Sequence, residues 1–214
     1  MRAFGKAKGS MSSFEKSVKG ATKVKLAAPK SKYVEHILIA THSGEAGVAE
    51  VFRSLTLRLR DSTWTIVFKS LIIVHLMLRE GERDVTVGYL AKHPKALVIQ
   101  NYTDTQMQGR NIRHYESYLL ERCRGYRDCK VDFARDGEGR LKRLGIDKGL
   151  LRETESVQGQ IEKLVKCDVM SDEVENEVTT MAFRMITMDL LKLFNVVNEA
   201  IINILGIIPI RSCC

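Results

Sequence analysis

Residues 64–78 read WTIVFKSLIIVHLML. Wound as a helix, this run is apolar nearly all round, broken only by Lys69, His75 and small polar side chains. A helix of that kind belongs at the centre of a domain, because it has no face that prefers water. Its two ionisable residues make it a poor bilayer span. Asp61-Ser62-Thr63 supplies a capping sequence just before it, and Gly81 supplies a stop just after it. The reading that decides the fold is therefore a buried central helix with other helices stacked around it.

Working outward, apolar residues recur at helical spacing almost everywhere, and strand-like alternation is nearly absent. Ser12 and Glu15 form a capping box that opens a short helix with Phe14, Val18 and Ala21 on one side and Lys16, Lys19 and Lys23 on the other. Pro29 breaks the chain, and KYVEHILIATHS starts a second helix with Val34, Ile37 and Leu38 inward. Further helices are expected over Glu45–Arg60, Thr63–Arg79, Glu82–Lys92, Arg110–Phe133, Asp147–Cys167 and Asp172–Leu205. His93-Pro94 ends one of them, and RDGEGRLKRLG (Arg135 to Gly145) is a polar hinge between long helices. Seven or eight helices with short connections imply an all-α superhelix of antiparallel neighbours. The late run LLKLFNVVNEAIINILG carries Lys192 and Glu199 and is likewise no bilayer span.

The chain has 214 residues, enough for one substantial domain, and a hydrophobic fraction of 44% supports a proper core. We expect a basic tail over residues 1–11, a domain over 12–206 and an atypical tail over 207–214, where GIIPIRSCC departs from the preceding helix. The net charge of +8 is not spread evenly: residues 1–33 hold nine Lys or Arg and one acid, which leaves 25 of each sign for the remainder. The five cysteines are odd in number and form no CxxC pair, which suits free thiols in a reducing compartment. With no apolar signal segment at the start, the cytoplasm is the expected address and Asn101-Tyr102-Thr103 a chance sequon.

The strongest functional signal is KGATKVKLAAPKSKY, Lys19 to Tyr33, with five lysines and no acid. Acids are missing from Lys16 through Val34, so no intrahelical ion pair is expected to neutralise the charge. Lys19, Lys23 and Lys25 belong to one element and its loop. Lys30 and Lys32 lie at the second helix start, where open backbone N–H groups also favour phosphate. With the hydroxyl of Tyr33 beside them, they suit a compact multiphosphate headgroup. Phe4, Met11 and Phe14 could reach a bilayer, although packing on the first helix pair is the commoner fate of a residue like Phe14.

Other chemistries are poorly supported. His36, His42, His75, His93 and His114 are scattered without an HExxH motif, and His75 reads as a satisfied core histidine. The glycine clusters at 44–47 and 137–139 match no phosphate-binding fingerprint. Cys123 and Cys129 are off metal-ligand spacing, and Met181, Met185 and Met188 read as core. An enzyme, a cofactor and a metal are therefore not expected. Arg2 is the one arginine near the lysines, and aromatic ladders are lacking, which argues against nucleic acid. Cys213-Cys214 resembles a prenylated tail without the context that modification needs.

These residues carry a family likeness. The chain resembles the ANTH domain of the endocytic clathrin-assembly adaptors, relatives of the ENTH domain, over roughly Ser12 to Leu205. KGATK (19–23), PKSKY (29–33), WTIVFKSLIIVH (64–75) with Gly81, RHYESYLLER (113–122) and LFNVVNEAIINIL (193–205) carry it. The resemblance implies a right-handed superhelical solenoid of the ENTH/VHS-like kind that binds phosphatidylinositol 4,5-bisphosphate on the inner leaflet of the plasma membrane. It further implies clathrin as a partner through a tail absent from this chain, a vesicle SNARE helix as another, and residence in the cytosol and in clathrin-coated pits and vesicles. The family's lipid motif is a lysine, nine residues, a lysine, one residue, then a basic residue and His or Tyr. Lys30, Lys32 and Tyr33 match its second half, whereas counting back from Lys30 lands on Gly20, with Lys19 displaced by one and Lys23 and Lys25 inside the interval. ANTH domains also continue for further helices, so the domain is expected to be incomplete at its carboxyl end. The alternative reading is a helical protein-interaction module with only generic attraction to acidic membranes.

Overall fold

A computed structural model describes residues 13–103, 107–168 and 176–207. The expected tail at 1–11, and all of the expected tail at 207–214 except Ile207, which ends a helix, lie outside the described residues, and with them Phe4, Met11, Ser12, Cys213 and Cys214. Among the described residues the chain is helical, without strands. Its elements are α1 (Ser13–Ala21), α2 (Ser31–Thr41), α3 (Gly44–Leu59), α4 (Trp64–Glu80), α5 (Val85–Lys92), α6 (Met107–Cys129), α7 (Phe133–Asp136), α8 (Leu150–Val165) and α9 (Glu177–Ile207). A single 3-10 turn, Pro94–Ala96, follows α5.

α4 is the central helix that its composition demands. Every residue from Thr65 to Leu78 is buried. Asp61 Oδ1 accepts the Thr63 N–H at 2.8 Å at its start, and the Gly81 N–H donates to the Met77 carbonyl at 3.2 Å at its end. Around it the helices stack as a solenoid: α1 on α2 and α3, α3 on α4 and α5, α5 on α6, α6 on α8, and α8 on α9. α8 shows why such helices form and stay. Its buried residues Leu150, Glu153, Thr154, Val157, Gln160 and Leu164 repeat at three- and four-residue steps and make one stripe facing its neighbours.

Among the helix ends that differ from the sequence expectation, three have a local backbone reason. α5 starts at Val85 rather than Glu82, because Asp84 takes the left-handed conformation (φ 61°). α6 stops at Cys129 rather than Phe133, because Lys130 (φ 58°) donates its N–H to the Tyr126 carbonyl at 2.8 Å and closes the helix. α8 begins after Gly149, whose φ of 102° favours glycine. The methionines also need correction. Met185 is core, but Met188 is exposed and lines an open cleft of about 670 Å³ with Leu76 and Met181.

Three helices and the segment before α7 are locked together by a buried polar network. Asp189 of α9 accepts hydrogen bonds from Tyr118 (2.5 Å), Arg122 (2.8 Å) and Arg79, and His75 Nε2 lies 2.7 Å from the same carboxylate. Arg122 is also held in a two-bond fork by Asp132, just before α7, at 2.8 and 2.7 Å. A carboxylate can only accept, so the His75 proton sits on Nε2 and Nδ1 accepts from the Tyr115 hydroxyl at 2.8 Å. His75 is the satisfied core histidine that its place on an apolar helix implies.

Cys123, Cys129 and Cys167 are free and buried. Burial pushes the thiols of Cys123 and Cys167 up to about 12, which leaves them unreactive at neutral pH. Among the described residues no helix is long and apolar enough to cross a membrane.

Candidate functional site

The lysine-bearing segment spans the end of α1, the α1–α2 loop and the start of α2. α1 and α2 approach closely at one pair: a Cβ on Gly20 would lie 2.6 Å from Cζ of Tyr33. Glycine lets the tyrosine ring sit against the α1 backbone there. Nearer the start of α1, Phe14 stacks on His36 with ring centroids 4.9 Å apart, and Ser17 Oγ lies 2.8 Å from His36 Nδ1. Phe14 thus packs on the first helix pair.

The loop from Thr22 to Lys30 has no regular structure of its own, so its backbone polar groups need partners from elsewhere. Three helices supply them. Arg58 of α3 donates to Thr22 Oγ1 at 2.9 Å and to the Thr22 carbonyl at 2.8 Å. Lys69 of α4, only 3% exposed, points its ammonium at the carbonyls of Lys23, Lys25 and Ala27 at 3.1, 3.3 and 2.9 Å. Glu177 at the start of α9 accepts the Ala28 N–H at 3.0 Å. Asn176 secures that start in turn, its side-chain oxygen accepting the N–H groups of Val178 and Thr179. Burial pushes the Lys69 ammonium down from the usual lysine range. The three carbonyl dipoles replace the water it has lost.

Each expected site residue can now be placed. Lys23 and Lys25 are exposed on the loop, their carbonyls turned inward to Lys69. Lys30 is the residue preceding α2, and Lys32 sits in the first turn of that helix, both exposed. The Lys32 ammonium stands 5.0 Å from the centre of the Tyr33 ring, a cation–π contact. Tyr33 itself is half-buried against Gly20. Lys19 corrects one expectation: its ammonium pairs with Glu15, one turn earlier on α1, at 2.8 Å, so an intrahelical partner does exist. The segment 16–34 lacks acids, but the acid at 15 lies within reach of the lysine at 19. A side chain at position 20, where the resemblance would put the leading lysine, would require the Tyr33 ring to shift.

Reading the sequence missed Lys69, Arg58 and Glu177, the three residues that shape the loop. The available signal was Lys69 itself, a lone lysine in an otherwise apolar helix, which must find acceptors to be tolerated there.

The ANTH domain family model matches residues 13–210. An ENTH domain-containing protein of Schizosaccharomyces pombe is 40% identical over 195 residues, covering 90% of this chain and 30% of that protein. Clathrin coat assembly protein AP180A of Saccharomyces cerevisiae is 37% identical over 210 residues, covering 91% and 33%. The human phosphatidylinositol-binding clathrin assembly protein is 32% identical over 203 residues, covering 91% and 31%. The chain therefore spans about a third of the length of the curated relatives it matches. Among solved structures, the ENTH domain of epsin-2 in complex with phosphatidylinositol 4,5-bisphosphate superposes with a TM-score of 0.73 at 16% identity, covering 90% of this chain and 79% of that one. That likeness concerns the fold: an ENTH/ANTH helical solenoid. With a family match over most of its length and relatives that share more than a third of its residues, the chain belongs to the ANTH domain family.

Proposed function

We propose that this ANTH domain is a peripheral membrane adaptor module that binds phosphatidylinositol 4,5-bisphosphate on the inner leaflet of the plasma membrane and serves clathrin-mediated endocytosis. One observation carries the reading. Lys23, Lys25, Lys30 and Lys32 are exposed within a single short segment that has no acid and is tied down by α3, α4 and α9. Near an anionic leaflet each such lysine contributes about 1 kcal/mol, an attraction that salt weakens. Specific phosphate contacts then select the headgroup. Lys30 and Lys32 approach the phosphates together with the α2 amino terminus, and Lys23 and Lys25 approach from the loop. Tyr33 steadies Lys32 and offers its hydroxyl. Lys19, shared with Glu15, contributes least. The relatives' names, one a clathrin coat assembly protein and one a phosphatidylinositol-binding clathrin assembly protein, support both the lipid and the pathway. Clathrin contact is proposed for the longer adaptor type that these relatives represent, at clathrin-coated pits and vesicles, and is assigned to no residue of this chain.

Co-sedimentation with vesicles tests the reading. Binding should favour vesicles containing the bisphosphate lipid over phosphatidylserine vesicles of equal net charge. The double change Lys30→Glu/Lys32→Glu should abolish binding while leaving the circular-dichroism helix signal intact. Equal binding to both vesicle types would leave only generic electrostatics.

A second reading, a helix-docking module for a SNARE or cargo helix, is favoured by α9. That helix buries Leu193, Val196 and Ala200 on one face yet exposes Leu191, Ile202 and Leu205 on another. Pulldown of such a helix undiminished by the two glutamates, with no lipid preference, would support it over the first.

A further inference from the structure

The lysines of the α1–α2 loop alternate with apolar residues, in the order Lys23, Val24, Lys25, Leu26. Val24 is 58% exposed and Leu26 55% exposed. A loop free to rearrange would fold such side chains inward. This one is not free, because the carbonyls of Lys23, Lys25 and Ala27 are drawn to a single ammonium, that of Lys69. Arg58 fixes the Thr22 end and Glu177 fixes Ala28. The exposure of Val24 and Leu26 is thus built into the fold.

We infer that Val24 and Leu26 form an apolar tip that enters the boundary between headgroups and acyl chains of an anionic bilayer, with Lys69 as the residue that holds the tip out. This rests on the headgroup reading given above and adds a second, non-electrostatic contact to it. Charge complementarity selects the occupant. The tip is flanked by Lys23, Lys25, Lys30 and Lys32, and no acid lies between positions 16 and 34. A second copy of the same surface would be repelled, whereas acidic headgroups would be attracted. Lysine side chains are long enough to keep their ammonium groups among phosphates while a neighbouring valine or leucine sinks below them. The lysines then set the choice of lipid, and the tip sets how long the complex lasts at physiological salt, because burial of apolar surface is not screened.

The test uses the full chain and vesicles of phosphatidylcholine with phosphatidylinositol 4,5-bisphosphate. Val24→Ser/Leu26→Ser should bind about tenfold more weakly and become more salt-sensitive, while keeping its preference for the bisphosphate lipid over phosphatidylserine. A Leu26→Trp variant should gain fluorescence quenching from lipids brominated near the top of the acyl chain, beyond the quenching of wild type with its native Trp64. Unchanged affinity of the serine variant, with no added quenching of Leu26→Trp, would overturn the tip and leave the headgroup reading standing. Failure of the wild-type chain to bind these vesicles would overturn both.

Discussion

A lysine inside an apolar helix is costly unless each of its N–H donors finds an acceptor. Lys69 directs its ammonium to three carbonyls of one loop, 42 to 46 positions away in the chain. Replacing it by Met keeps most of the stem volume but strands those carbonyls. We expect Lys69→Met to destabilise the protein by about 1–3 kcal/mol in urea denaturation and to speed amide hydrogen exchange at the loop. Unchanged exchange there would mean that the loop stands without the ammonium. Gly20 acts at the same scale in the opposite way, through an atom it lacks: its missing Cβ is the space occupied by Tyr33.

Between elements, the decisive contact is the carboxylate of Asp189, through which α9 is bonded to α4 and α6. Burial alone would raise this carboxyl, but His75, Arg122 and the Tyr118 hydroxyl outweigh it and hold the group well below the usual carboxylate range. Asp189→Asn should therefore cost about 3–5 kcal/mol, because it leaves Arg122 buried with one carboxylate instead of two. Urea or thermal unfolding measures this, and a loss under 1 kcal/mol would show that the network sets geometry rather than stability. The surface pair of Lys19 and Glu15 belongs to a different class, one in which solvent screening leaves well under 1 kcal/mol.

For the whole molecule, that network makes stability depend on pH. Burial lowers the His75 imidazole from its ordinary value of about 6.5. The unfolded chain then binds a proton that the folded chain refuses, so stability is full above about pH 6.5 and falls as pH drops towards the folded value. The lowered carboxyl of Asp189 adds a further loss at still lower pH, with the same sign. Glu116, raised mainly by burial, opposes them, but only between its raised folded value and the ordinary glutamate value of about 4.5. Melting temperature should thus decline between pH 7.5 and 5.5 in the wild type, and a flat profile would show that His75 charges freely. Lipid binding measured over the same range should be read against this loss of folded protein.

Much of this architecture was legible in the chain itself. The all-apolar run at 64–78 required a buried central helix, the periodic stripes required neighbours for it, and the acid-free span at 16–34 located the candidate site. These features are local, and short-range periodicity and charge report them directly. Helix ends at Asp84 and Lys130 were hidden, because neither residue type marks a left-handed position as a glycine would. The shape of the lysine loop was hidden for the same kind of reason. Its carbonyls are satisfied by Arg58, Lys69 and Glu177, which distant parts of the chain bring to it. By itself the sequence determined which residues must be buried and where positive charge accumulates. Only the tertiary structure decided that Gly20 makes room for Tyr33 and that Val24 and Leu26 are held in solvent, because each depends on a contact that forms only once the helices have packed.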